Sequence, residues 1–269
     1  MKNKKALPII SIVLIVIPLL LFGIYYLSGK RDKIIVKELE NSITQTDSDV
    51  LKYYLINNKV VQEKFKSIFM RNTDFIGWIT IDNTKINYPV MYRPDDIKYY
   101  LHRNFEEKYN FAGCIFAGEN TDIAKPSKNI ILYGHNMNDG SMFHQITKYA
   151  DEEYYKAHKY IKFDTLNKNS RYEIVAAFRT IAHNEDYEGF DLYRYVNMER
   201  HRFNEFHDEC ISARLYGAAD FDYEDNLITL STCQHFANNG RFVIVAKEIE
   251  KKEVDTTIPP IDILTVKKN

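Results

Sequence analysis

Three side chains, Cys233, His135 and Arg241, have the types needed to break an acyl bond and make another. Cys233 and Arg241 lie in one stretch, Asn226 to Lys247, where two β-rich runs flank a polar loop. The first run, Leu227 to Leu230, ends just before Cys233; the second, Phe242 to Ala246, begins just after Arg241. Asn238, Asn239 and Gly240 supply turn chemistry between them. If the runs pair as neighbouring strands, a thiol and a permanently charged guanidinium share one rim of a sheet. The thiolate is the nucleophilic form, and an ordinary thiol titrates at about 8.5, so a nearby cation favours it. A planar guanidinium also suits the oxyanion of a tetrahedral intermediate. His135 follows the apolar run Asn129 to Tyr133 and could carry the proton between leaving and entering amines. It is one of eight histidines, and His102, His144 and His235 compete for the role. His235, two residues from Cys233, is expected to point along the loop rather than at the sulfur.

The totals narrow the classes. The chain has 269 residues and a formal net charge of −1, ample for a core and without a global field for nucleic acid. Its three cysteines, 114, 210 and 233, are too few and too widely spaced for a disulfide framework or a paired-cysteine zinc site. Cys114, inside the run Phe111 to Ala117, and Cys210, on a helical face, read as small core residues. There is no phosphate-binding glycine loop, internal repeat or heptad run, and the expectation is no cofactor and no metal.

The positioning elements follow in order. Ala6 to Ser28 is an uncharged apolar run of about 23 residues, roughly 34 Å as a helix against a bilayer core of roughly 30 Å. Lys2, Lys4 and Lys5 precede it, and Lys30, Arg31, Lys33 and Lys37 follow, so charge alone leaves its orientation open. It has no small-x-small site of the kind that ends a cleaved signal peptide. Arg31 to Asn72 is expected to be helical, broken near Thr44 to Ser48, with Asp47 or Ser48 as a cap. Leu51, Tyr54, Leu55, Val61, Phe65, Ile68 and Phe69 carry the second helical period. Strands are expected at Ile76 to Ile81, Lys85 to Tyr92, Phe111 to Ala117, Asn129 to Tyr133, Tyr160 to Phe163 and Arg171 to Ile181. Pro89 points to an edge or bend. Ser141 to Tyr149 reads as a short helix, and Ala182 to Asn197, with Glu185, Asp186, Glu188 and Asp191, as a solvated loop. Met198 to Tyr216 reads as a helix with Phe203, Phe206, Cys210 and Ala213 on one face, and Lys251 to Asn269 as a loosely held tail.

Several of these motifs together resemble one family. Thr229-Leu-Ser-Thr-Cys233, with Arg241 eight residues on, is similar to the cysteine signature of sortases. Leu132-Tyr-Gly-His-Asn-Met137 followed by Asp139-Gly-Ser-Met-Phe143 resembles the histidine motif of class B sortases. Tyr100-Leu-His-Arg-Asn-Phe105, Asn110-Phe-Ala-Gly113, Gly77-Trp-Ile and Ile86-Asn-Tyr-Pro-Val90 resemble further segments of that class. The helix-bearing stretch between Ile181 and Asn226 is similar to the class B insertion before the cysteine strand. The likeness runs from about Phe75 to Lys247.

The resemblance implies an α+β fold: an eight-stranded β-barrel with peripheral helices, two of them N-terminal and one before the cysteine strand. It implies a cytoplasmic segment 1–5, a transmembrane signal-anchor 6–28, a helical segment 29–72 packed on the barrel, a catalytic domain 73–250 and a tail 251–269. The protein is then a single-pass enzyme of a Gram-positive cell membrane, its N-terminus cytoplasmic and its catalytic domain outside. The implied activity is cysteine transpeptidation, with an endopeptidase half-reaction. Cys233 cleaves an Asn-Pro-x-Thr sorting signal after Thr, and a thioester passes the surface protein to an amine, such as a peptidoglycan precursor. His135 is carried over as acid–base group, Arg241 as oxyanion or substrate clamp, and Ser231 and Thr232 as substrate-binding or supporting residues. The partners implied are sorting-signal-bearing surface proteins, the amine acceptor and the membrane, with no nucleic acid. Pilin polymerisation and signal-peptide hydrolysis remain open within the family. A different cysteine peptidase or an inactive tethered binding module remain open outside it.

Overall fold

The computed structural model describes residues 6–43, 50–122, 127–182, 191–233 and 239–266. The segment 1–5, the expected helix break and cap at Thr44 to Ser48, Glu185, Asp186, Glu188, His235 and Asn238 lie outside the described residues.

Eight strands close into a barrel: β3 (Phe75–Thr80), β4 (Asn87–Met91), β5 (Ile115–Ala117), β6 (Asn129–Tyr133), β7 (Tyr160–Thr165), β8 (Lys168–Ile181), β9 (Leu227–Cys233) and β10 (Gly240–Glu253). Their order around the barrel is β10-β8-β7-β3-β4-β5-β6-β9. Closure leaves no unpaired barrel edge. Pro89 nevertheless has one locally unpaired side, as an edge position would. It sits opposite Trp78 of β3, and pairing to β5 begins only at Val90, where a missing N–H no longer matters. The inner core is built by alternate residues of each strand, among them Ile79, Val90, Leu132, Phe163, Leu230 and Phe242.

Strand direction brings the chemistry together. β6 and β9 are parallel, with Tyr133 beside Ser231, so both end at the same rim. β10 runs antiparallel to β9 and therefore starts at that rim, with Arg241 beside Cys233. Alternation along β9 places Leu230 in the inner core, whereas Leu227 belongs to an outer cluster with Val243 and Val245 of β10. Ser231 and Cys233 share the parity of Leu227 and hence its outward face. That face is covered by the segment before β9, whose helix α4 (Arg200–Ala213) packs Phe203, Phe206 and Cys210 onto it. Ala213, at the frayed end of α4, is exposed instead. A 3-10 turn, Leu192–Tyr195, sits in what the sequence suggests is an unstructured loop.

Helix α1 (Ala6–Ser42) precedes the barrel. Its apolar half, Val13 to Leu27, is almost wholly exposed, and this is the one described helix long and apolar enough to cross a membrane. The same helix continues through Ser28 and then buries Ile35 and Leu39 against Phe65, Phe69 and Phe105. The expected second helix is shorter than its apolar period suggests. Only Lys66–Arg71 (α2) is α-helical, and Tyr53–Ile56 (β1) and Lys59–Gln62 (β2) form a hairpin. Asn57 and Asn58 both take left-handed backbone angles, the geometry of a two-residue hairpin turn, and Val60-Val61 favour strand. Ile56, Val61, Phe65, Ile68 and Phe69 all enter one cluster, so their spacing records burial on two kinds of element.

The expected loose tail is held at two places. β10 runs on to Glu253, and Ile263–Leu264 (β11) pairs in parallel with β1. β1 would otherwise expose one edge; Leu55 N–H donates to Asp262 and Asn57 N–H to Leu264. α3 (Glu152–Ala157) is capped by Asp151, and the 3-10 run Phe143–Ala150 replaces the helix expected at Ser141 to Tyr149. Gly77 marks the closest approach of β3 to β7, where an added Cβ would collide with the Asp164 carbonyl oxygen. Gly77→Ala is expected to destabilise the barrel by about 1–3 kcal/mol, read as a lower midpoint in urea with an unchanged slope.

Candidate active site

A cleft of about 310 Å³ opens on the outer face of the barrel at the rim where β6, β9 and β10 meet. His135, Cys233, Arg241, Ser231 and Thr232 all line it. The opposite wall comes from Ile97, Lys98 and Leu101 on one side and Asp191 and Leu192 on the other. Two segments outside the barrel strands thus complete a groove that the strands alone would leave open.

Cys233 is the last residue of β9 and only partly buried. Cys114 and Cys210 are buried, and burial pushes both thiols well above their usual range. The three thiols are therefore separated by location: Cys114 and Cys210 are in the core, as their sequence contexts suggest, and Cys233 is at the cleft. Arg241 is the cross-strand partner of Cys233, which sets their Cα atoms roughly 4.5–5.5 Å apart. Its guanidinium donates to the Gly240 carbonyl at 3.1 Å and forms no ion pair among the described residues. Its charge is thus left to the cleft.

His135 follows β6 by two residues. A Cβ on Gly134 would strike the end of the Ile115 side chain and the Phe143 ring, so a larger residue here would force those side chains to shift. The imidazole Nε2 lies 2.9 Å from the carbonyl oxygen of Leu101. A carbonyl can only accept, so Nε2 carries a proton and Nδ1 is the nitrogen able to take another. Burial pushes the His135 pKa below its ordinary value, the Leu101 contact pulls it partly back, and neighbouring His102 pushes it down again. Together these effects favour the neutral ring.

Sequence reasoning assigns no role to Asn136 or to the carbonyl of Leu101. Asn136 Nδ2 donates to the Cys233 carbonyl at 2.9 Å, and its Oδ1 lies 2.8 Å from His144 Nδ1. Thr232 Oγ1 donates to the Gly134 carbonyl at 2.7 Å. These bonds tie the histidine loop to the end of the cysteine strand. His144 thus packs on the histidine loop and does not line the cleft. The position of Asn136 directly after the histidine is the only hint the sequence carries. Ser231 differs from Thr232: its Oγ is buried and has no hydrogen-bond partner among the described residues. Asp191, expected in a solvated loop, stands in the cleft wall. Among the described residues no group of three or more His, Cys, Asp or Glu is placed to hold a metal ion.

Known proteins share this fold. The family model described as "Sortase domain" matches residues 79–249. Sortase B of Listeria monocytogenes is 31% identical over 246 residues, covering 87% of this chain and 95% of that protein. Sortase B of Staphylococcus aureus is 28% identical over 258 residues, covering 93% and 99%. The crystal structure of sortase B from Bacillus anthracis in complex with AAEK1 superposes with a TM-score of 0.70 at 28% identity, covering 84% of this chain and 99% of that one. With a domain match over most of the barrel and near full-length likeness to two curated relatives, the chain belongs to the sortase family, in its class B.

Proposed function

We propose that this class B sortase, a cysteine transpeptidase of the cell wall, cleaves an Asn-Pro-x-Thr sorting signal through a thioester on Cys233. The observation that carries the reading is the convergence of His135, Cys233 and Arg241 in one cleft, Cys233 and Arg241 as cross-strand partners. The Cys233 thiolate attacks the Thr carbonyl carbon, and the C=O electrons move to oxygen. Arg241 stabilises that oxyanion. His135, which has taken the Cys233 thiol proton at Nδ1 to form the thiolate, gives that proton to the departing amine as the C–N bond breaks, leaving a thioester and a neutral imidazole. An acceptor amine then attacks the thioester, His135 takes its proton at Nδ1, and Cys233 leaves as thiolate. Ser231 supports the signal peptide: an unpartnered buried hydroxyl in the cleft wall can be satisfied by a substrate amide. Thr232 supports the site from behind by holding Gly134.

The same reading makes Ala6 to Ser28 an uncleaved membrane span with a cytoplasmic N-terminus and residues 73–250 an extracellular catalytic domain. Exposure of the apolar half of α1 supports a span, and Tyr26 with Lys30 over its ring suits the outer interface. Because α1 runs unbroken from that half into the packed half, the domain sits directly on the membrane surface.

A fragment starting at Arg31 keeps Ile35 and Leu39 and is the protein to test. Incubated with a quenched Asn-Pro-x-Thr peptide, with and without triglycine or diaminopimelate, it is expected to yield an amide-linked product visible by mass spectrometry. Hydrolysis alone under every acceptor would favour a peptidase reading. Cleavage of a Leu-Pro-x-Thr peptide instead would refute the signal assigned here.

A further inference from the structure

His102 competes with His135 for the acid–base role in the sequence, and it lies against it in the structure. It ends the 3-10 segment Tyr99–His102. Its ring stacks on His135 with centroids 5.3 Å apart and planes 25° from parallel. Phe111 stacks on both, 6.0 Å from His135 at 12° and 6.0 Å from His102 at 30°. Neither His102 nor Phe111 lines the cleft. We propose that His102 is a positioning residue for proton transfer: with Phe111 it clamps the His135 ring from outside the cleft, and a positive charge on one of the two stacked imidazoles opposes a positive charge on the other.

The geometry supports both halves. Each imidazole is anchored through one nitrogen to a backbone carbonyl, His135 to Leu101 at 2.9 Å and His102 Nδ1 to Phe111 at 3.3 Å. Leu101 and His102 are neighbours in one short segment, so the ring and the carbonyl that hold His135 move as a unit. That segment is itself pinned. The Tyr100 hydroxyl lies 3.0 Å from Asp74, which pairs with Arg93, and accepts from Asn72 at 2.9 Å. Stacked imidazoles cannot both be cations without like-charge repulsion at close range, and the His102 charge already pushes His135 toward its neutral form. The other charged or titratable groups facing His135 among the described residues are Lys98, Asp191, Cys233 and Arg241, all in the cleft wall. Beside His102 stands Tyr109, 6.4 Å away between ring centroids. His102 is therefore the group whose charge acts on His135 from outside the substrate groove.

This inference rests on His135 being the acid–base group, and the experiment separates the two claims. In the full-length detergent-solubilised protein, kcat and KM for a quenched signal peptide are measured from pH 5 to 9 for the parent, His102→Phe and His102→Ala. Histidine resonances are followed by NMR, and melting temperatures check folding. His102→Phe keeps a flat ring and removes the charge. It is expected to stay within about threefold of the parent at its optimum, while the His135 titration moves up by about half a pH unit and the matching limb of the rate profile moves with it. His102→Ala frees the ring and is expected to lower kcat about tenfold with KM unchanged, because His102 does not line the groove. A parent-like His135 titration in His102→Phe, or a parent-like kcat in His102→Ala, would overturn the proposal. If the His135 resonance shifts while the rate profile does not, the clamp stands and the acid–base assignment of His135 fails. Should His102→Ala not fold, His102→Phe alone decides.

Discussion

Cys233→Ala protein is expected to melt within a degree or two of the parent and to turn over no signal peptide. Removing a nucleophile that acts with a base costs on the order of 10⁵–10⁶ in kcat, which here means no product above background. Stability should hardly change, because Cys233 is a strand-end residue with a partly exposed side chain, and alanine keeps the β9–β10 pairing with Arg241. The covalent step gives a second readout: intact-mass spectrometry of parent enzyme with peptide should show an acyl adduct that the variant lacks. Cys114→Ala and Cys210→Ala are the controls. Both thiols are buried and pushed far from ionisation, so these changes should lower stability through packing and leave the adduct in place. An adduct that survives in Cys233→Ala would remove the basis of the mechanism.

Arg241→Lys is expected to lose about 10²- to 10³-fold in kcat/KM while folding as the parent. The argument is geometric. Cross-strand pairing fixes the Arg241 Cα beside Cys233, and the guanidinium is turned so that Nη1 binds the carbonyl of the preceding Gly240. A planar fork held at one nitrogen presents its remaining N–H groups in a fixed direction. Lysine at that position keeps the charge but offers a mobile point donor, so the oxyanion loses alignment rather than all attraction. The loss should appear mainly in kcat, since the charge on the oxygen develops only in the transition state. Kinetics equal to the parent would reduce Arg241 to the residue that opens a strand.

Much of the site was legible in the chain because it sits where strands end. Residue types and strand-end positions make Cys233 and Arg241 candidates, the family resemblance selects them, and two β-rich runs around a polar loop are enough to expect them on one rim. The dismissal of Cys114 and Cys210 as core residues holds for the same reason, since both sit in apolar patterns that their burial matches. Asn57-Asn58, by contrast, shows how a pattern can mislead. Tyr54, Val61, Phe65 and Phe69 line up at near-helical spacing, yet two left-handed asparagines turn the first part into a hairpin. Local turn chemistry overrode the apolar period. The tail was misjudged because a two-residue strand carries no periodicity at all. It is held by the open edge of β1, which lies some two hundred residues earlier.

The sequence by itself marked the candidate residues, most of the barrel strands that carry them and the apolar helix ahead of them, because residue type, strand alternation and helix length are local properties. The tertiary structure decided how the histidines divide around the cleft that Cys233 lines. His102, His135 and His144 are equivalent as residue types. Only the parallel pairing of β6 with β9 puts His135 in the cleft, sends His144 to Asn136 and stacks His102 on the ring it would otherwise rival. It also decided that the cleft lies outside the barrel, under the segment before β9, because that depends on which face the insertion covers. Backbone groups complete the site, among them the Leu101 carbonyl that sets the His135 tautomer. Every residue has such a carbonyl, so no sequence pattern can mark the one that folding brings within reach.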